Sequence, residues 1–129
     1  MAVIYMKKNI PTRHKQYSLS ALCDSFTYAW QGLVFVVRTQ RNMRIHVIVA
    51  IIVMILGLLR DINRDDWLWL LLAISMVISA ELFNSAIEYV CDVVMPEYHE
   101  SVKRAKDIAA AAVLVCACFA AVVGLFIIL

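Results

Sequence analysis

The sequence predicts an all-α integral membrane protein: an N-terminal amphipathic helix lying in the membrane interface, followed by three transmembrane helices. Three observations carry this prediction. Hydrophobic residues make up 64% of the 129-residue chain and charged ones 17%, with a mean hydropathy of +0.81, so a soluble surface could not be covered. The apolar residues lie in blocks, at 45–59, 67–80 and 108–129. Basic residues stand beside these blocks, where they set orientation, and stay out of their interiors.

Residues 1–17 are polar and basic, and are expected to be a loosely ordered segment preceding one membrane domain at 18–129. Their apolar stretch, 2–6, is far too short for the core of a signal peptide, and Lys7 and Lys8 follow it at once. From Leu19 the apolar residues Leu22, Cys23, Phe26, Ala29, Trp30, Leu33 and Val37 recur at steps of three and four. They oppose Ser20, Asp24, Thr27 and Gln31, which predicts an amphipathic helix over about 20–38. Its aromatic content and basic flanks suit the interfacial plane.

A polar hinge at 38–46 leads into the first crossing, expected at about 45–60 and broken only by His46. The loop at 60–66 turns the chain, and Trp67 and Trp69 anchor the second crossing at the interface. That helix is expected over about 67–94, 28 residues or roughly 42 Å, longer than the ~30 Å hydrocarbon thickness. Pro96 closes it. The third crossing, about 107–129, contains 22 consecutive uncharged residues and spans on length alone. Alanines at 109–112 permit close helix contact.

Seven Lys/Arg against one acid in residues 1–44, and Lys103, Arg104 and Lys106 in the second loop, predict a cytoplasmic N-terminus and an external C-terminus. A net charge of +2, explained by these flanking residues, gives no reason to invoke nucleic acid. The four cysteines show neither CxxC nor metal-ligand spacing, and read as small apolar residues.

The most informative segment is Glu81-Leu-Phe-Asn84-Ser-Ala-Ile-Glu88-Tyr-Val-Cys-Asp92. At about 100° per residue, Glu81, Asn84, Glu88 and Asp92 fall within an arc of roughly 80°, one polar stripe on an apolar helix. Ionisable groups at membrane depth are costly and mark functional sites. Counting about 1.5 Å per residue from Trp67, Glu81 lies about 21 Å in, Glu88 about 32 Å and Asp92 about 38 Å. The stripe thus runs from lipid to water, which fits chemistry between a membrane-dissolved substrate and a soluble one.

Two carboxylates and an amide are hard oxygen donors suited to Mg²⁺. Glu81 is the deepest, and a desolvated carboxylate is a candidate general base; Glu88, near water, is the better metal ligand. Arg41, Arg44, Lys103, Arg104 and Lys106 supply positive charge for phosphate oxygens, completing the parts of phosphoryl transfer. There is no Walker A sequence and no GxGxxG. Structural readings stand beside these. Glu81 can be a buried ion with a basic partner, Asn84 a helix–helix contact, and Asp92 a solvated helix end. Lys103 and Arg104 can simply set orientation. His46 reads as interfacial, and His99, in Glu97-Tyr98-His99-Glu100, lacks zinc spacing.

These residues also resemble a family. The Glu81–Asp92 block, Glu97-Tyr-His99 and Lys106-Asp107-x-x-Ala-Ala-Ala-Val-Leu are similar to the small bacterial membrane kinases of the diacylglycerol kinase/undecaprenol kinase family. Tyr28-x-Trp30-x-Gly32-Leu and Arg41-Asn42-x-Arg44-Ile-His46 match that family's interfacial-helix and hinge signatures, the latter nearer the undecaprenol kinase branch. The resemblance covers about residues 20–129. It implies a homotrimeric helical bundle in the bacterial cytoplasmic (inner) membrane, using ATP and Mg²⁺ to phosphorylate a lipid alcohol, undecaprenol first and diacylglycerol as the alternative. By motif position, Glu81 is the base toward the lipid hydroxyl and Glu88 the Mg²⁺ ligand. Asn84, Lys106 and Asp107 contact or support the nucleotide phosphates, with Tyr28, Glu97 and His99 nearby and Asp92 and Arg44 supporting. One departure stands out: Gln40 occupies a position where the family usually has a metal-binding glutamate, which predicts weaker Mg²⁺ binding. A degenerate member, or a non-enzymatic membrane protein, is the competing reading. A cation pathway is disfavoured because residues 67–77 offer only Ser75 as a polar group.

Overall fold

The computed structural model describes residues 19–129, so the expectation for 1–17 lies outside the described residues. Four helices account for almost all of them: α1 (Leu19–Thr39), α2 (Arg41–Arg60), α3 (Arg64–Val94) and α4 (Glu100–Ile128). No strand occurs among the described residues. The chain falls into two units that divide after Gly32, within α1. The helices α2, α3 and α4 are each long and apolar enough to cross a membrane. Large side chains such as Ile48, Leu72, Leu114 and Phe126 are exposed on them, which water would penalise and lipid would not.

The helices run further than the hydrophobic blocks. The hinge expected at 38–46 contracts to Gln40 alone, whose backbone is extended (φ −97°, ψ 119°), and Arg41–His46 already belong to α2. Likewise Glu100–Lys106, expected in a loop, form the first two turns of α4. Hydrophobicity marks where lipid lies, whereas a helix continues through polar residues until a breaker or a cap stops it. Neither segment contains Gly or Pro.

The termini are set by local chemistry. At the end of α2, Asp61 adopts the left-handed conformation (φ 50°), and its N–H and that of Ile62 donate to Leu58 and Gly57 carbonyls. This is a Schellman closure with Asp in the place of the more usual Gly. Asn63 caps α3: its Oδ1 accepts from the Asp66 N–H at 2.9 Å, and its Nδ2 donates to the Asp66 carboxylate at 2.7 Å. Asp65 and Asp66 also face the positive end of the helix dipole. At Met95–Pro96 α3 stops, and the His99 imidazole caps α4 by accepting from the Ser101 N–H.

Within the larger unit α3 is central. Its buried residues Leu70, Ala73, Val77, Glu81, Asn84 and Ser85 recur at steps of three and four, tracing one stripe. The helix α4 packs along α3 through Ala109 and Val113, and α2 contributes Met43 and Gly57. The stripe begins apolar at Leu70 and ends polar at Ser85. That change of character positions the candidate site.

Candidate active site

The polar half of the α3 stripe is a gradient of burial. Glu81 is 2% exposed, Asn84 6%, Glu88 half-buried and Asp92 exposed. At the buried end the polar groups are not used up by the fold. Glu81 Oε2, Asn84 Oδ1 and Ser85 Oγ have no hydrogen-bond partner, although leaving a buried polar group unpaired costs about 1–3 kcal/mol. Such groups require an explanation, and a ligand is one. Asn84 Nδ2 donates a long, weak bond of 3.5 Å to Glu88 Oε1, which links the middle of the stripe to its open end.

The chain ties further groups to the open end. The Phe35 and Tyr89 rings pack with centroids 5.4 Å apart, and Tyr89 Oη donates to Thr39 Oγ1 at 3.4 Å. These contacts hold the C-terminal end of α1, and hence the break at Gln40, against the turn of α3 that carries Glu88. The Gln40 side chain makes no capping bond. On α4, Lys106 Nζ lies 2.5 Å from Asp92 Oδ1, so it is brought to the stripe. Asp107 pairs instead with Lys103 at 2.5 Å, and Arg104 with Glu100 at 2.6 Å, both along the exposed surface of α4.

Of the expected site residues, Glu81, Asn84, Glu88, Asp92 and Lys106 come together. His99 serves as the α4 cap, with Nδ1 occupied by the Ser101 N–H. Glu97 and Arg44 are exposed, and so is Tyr28, which belongs to the smaller unit. Sequence reasoning passed over Ser85, Tyr89 and Thr39. Ser85 had a signal: four residues past Glu81, it is about 40° from it on the helical wheel, about 20° beyond the edge of the same arc. Tyr89 and Thr39 had none, because their pairing depends on how α1 meets α3.

The donor set fits Mg²⁺. Among the described residues no three His, Cys, Asp or Glu converge on one point. Mg²⁺ carried by a nucleotide needs only one or two protein carboxylates beside phosphates and water, and Glu88 with the unpaired Asn84 Oδ1 offers hard oxygens of that kind.

Comparison with known proteins places the chain in a family. The family model described as prokaryotic diacylglycerol kinase matches residues 27–128. An undecaprenol kinase of Bacillus subtilis is 37% identical over 111 residues, covering 86% of this chain and 90% of that one. A diacylglycerol kinase of Synechocystis is 40% identical over 104 residues, 80% of this chain and 59% of its own length. The Escherichia coli K12 diacylglycerol kinase is 32% identical over 88 residues, 68% of this chain and 72% of that one. The chain belongs to the prokaryotic diacylglycerol kinase family, and by that membership it is a membrane lipid kinase.

Proposed function

We propose that the protein transfers the γ-phosphoryl group of ATP to the primary hydroxyl of a membrane lipid, undecaprenol in the first place and diacylglycerol as the alternative. The observation that carries this reading is the buried Glu81 carboxylate, whose Oε2 has no partner, at the closed end of a stripe that opens through Glu88 to Asp92 and Lys106. A lipid hydroxyl arriving from the apolar side meets Glu81. A nucleotide arriving from the other side meets Glu88 and Lys106. Both names among the relatives, undecaprenol kinase and diacylglycerol kinase, describe lipid acceptors that end in a primary alcohol.

In the proposed step the Glu81 carboxylate accepts the hydroxyl proton as the lipid oxygen bonds to the γ-phosphorus. The bond from that phosphorus to the bridging oxygen breaks in line, and ADP leaves with the electron pair. Asn84 orients Glu88 through its side-chain amide, and Lys106 balances charge on the phosphates. Bound Mg²⁺, held by Glu88 with help from Asn84 and Gln40, would neutralise charge developing on the phosphate oxygens. Gln40 keeps an acceptor oxygen but lacks the negative charge of a glutamate there, so its hold on the metal is weaker.

The orientation in the membrane follows the charges: Glu88, Asp92 and Lys106 at the cytoplasmic face of the inner membrane and the C-terminus outside. The family resemblance adds a homotrimer as the working assembly. The test is to incubate the purified protein in lipid with Mg·ATP and each acceptor in turn, following phosphate transfer. Phosphorylated undecaprenol is the expected main product. Transfer to diacylglycerol alone would reverse the order of substrates, and transfer to neither would sink the enzymatic reading.

A further inference from the structure

Phe35, Thr39 and Tyr89 form a closed set of contacts between α1 and α3. Phe35 and Thr39 stand four residues apart, so they share one face of α1. The Thr39 hydroxyl donates to the Phe35 carbonyl at 2.8 Å, which leaves its lone pairs to accept from Tyr89 Oη at 3.4 Å. The Tyr89 ring meanwhile packs on that of Phe35, with 46° between their planes. Among the described residues no Cα of α1 comes within 8 Å of one in α3, so these side chains make the link that backbone packing does not. The two rings remain 49% and 39% exposed, and burial of apolar surface alone gives little reason for them to meet.

Each end of this link is the chain neighbour of a half-buried residue with an oxygen to offer. Tyr89 follows Glu88, and Thr39 precedes Gln40. At Gln40 the backbone is fully used: its N–H donates to the Val36 carbonyl at 2.8 Å, and its carbonyl accepts from the Arg44 N–H at 3.3 Å. Its side chain caps nothing. We propose that Tyr89 is a positioning residue for the divalent cation that accompanies the nucleotide. Through Thr39 it fixes the break between α1 and α2 beside α3, so that the Gln40 amide oxygen and the Glu88 carboxylate serve one cation. Tyr89 itself touches neither the metal nor the nucleotide in this role. The proposal rests on the lipid kinase reading above and deepens its metal site. A neutral amide attracts Mg²⁺ less than a carboxylate does, so such a donor depends on being held in place beforehand.

The test uses the full chain in lipid nanodiscs with Mn²⁺ as the probe. Binding beside a non-hydrolysable ATP analogue is read from the loss of the free-ion EPR signal. Tyr89→Phe keeps the ring on Phe35 and removes the hydroxyl, whereas Thr39→Val removes its acceptor. Loss of that one hydrogen bond should weaken Mn²⁺ binding roughly two- to tenfold in either variant, and no further in the double variant. Thr39→Ser, which keeps the hydroxyl, should retain wild-type binding. In a Gln40→Ala background Tyr89→Phe should have no effect, because the donor it positions is gone. The melting temperature and KM for the lipid acceptor should not move with Tyr89→Phe. Unchanged Mn²⁺ binding in Tyr89→Phe, additive losses in the double variant, or a loss that persists in Gln40→Ala would each overturn the proposal. A fall in melting temperature that accompanies the weaker binding would overturn it too, by making the cluster a tether of the fold. If wild type binds no Mn²⁺ beside the nucleotide and phosphorylates no acceptor, the kinase reading fails first and removes this proposal with it.

Discussion

Lys106 Nζ lies 2.5 Å from Asp92 Oδ1, tying the second turn of α4 to the last turn of α3 across the break at Met95–Pro96. Asp92 is exposed, and exposed ion pairs contribute little to stability, so the contact matters chiefly for where it puts the ammonium. Lys106→Met should raise KM for Mg·ATP while leaving KM for the lipid unchanged. Asp92→Asn, which loosens the ammonium without removing it, should do the same more weakly and leave the melting temperature nearly unaltered. Initial rates over a matrix of ATP and lipid concentrations separate the two constants. A matched rise in both would mean that the pair only holds the turn together.

Glu81→Gln keeps the shape of a side chain that is 2% exposed and removes a buried charge with one unpaired oxygen. Stability should therefore hold or improve. Loss of a general base, by contrast, should lower kcat by about 10²–10⁴-fold. Thermal unfolding and oligomer mass, measured beside activity, check the split. An unfolded or dissociated Glu81→Gln would return this carboxylate to a structural role.

The fold was legible because lipid imposes a strong signal. An uncharged run such as residues 108–129 has few alternatives to a spanning helix, and the three-and-four spacing from Glu81 to Asp92 defines a face whatever surrounds it. Helix ends were less legible. The first turns of α2 and α4 are polar, so hydropathy placed each start several residues late, while hydrogen bonding carried the helix back to Gln40 and His99. Site residues divided the same way. Those on one helix, Glu81, Asn84 and Glu88, could be grouped from sequence. Partners that meet across helices, Tyr89 with Thr39 and Lys106 with Asp92, depend on packing that spacing does not encode.

Gln40 is the one break between α1 and α2, and its side chain makes no capping bond. Gln40→Glu would place a carboxylate at the N-terminus of α2, at a half-buried position where the helix dipole favours negative charge. The fold should tolerate the change, and the Mg²⁺ concentration giving half-maximal activity should fall. A titration of activity against free Mg²⁺ at fixed ATP measures this. An unchanged midpoint would exclude Gln40 from the metal's surroundings.

Gly57 tests the packing that sets α3 in place. A Cβ added there would stand 3.1 Å from Trp67 Cη2 and 3.2 Å from Ile62 Cδ1, so the end of α2 approaches the first turn of α3 closely. Two effects oppose each other in Gly57→Ala. Helix propensity favours alanine by about 1 kcal/mol, and crowding a rigid indole costs about 1–3 kcal/mol. Crowding should win, giving a net loss of up to about 2 kcal/mol. In a Trp67→Leu background the flexible side chain can move aside, and the same substitution should become neutral or stabilising. A double-mutant cycle by reversible unfolding in mixed micelles isolates this coupling. Additive effects would show that the indole does not restrict position 57, and that glycine stands there for another reason.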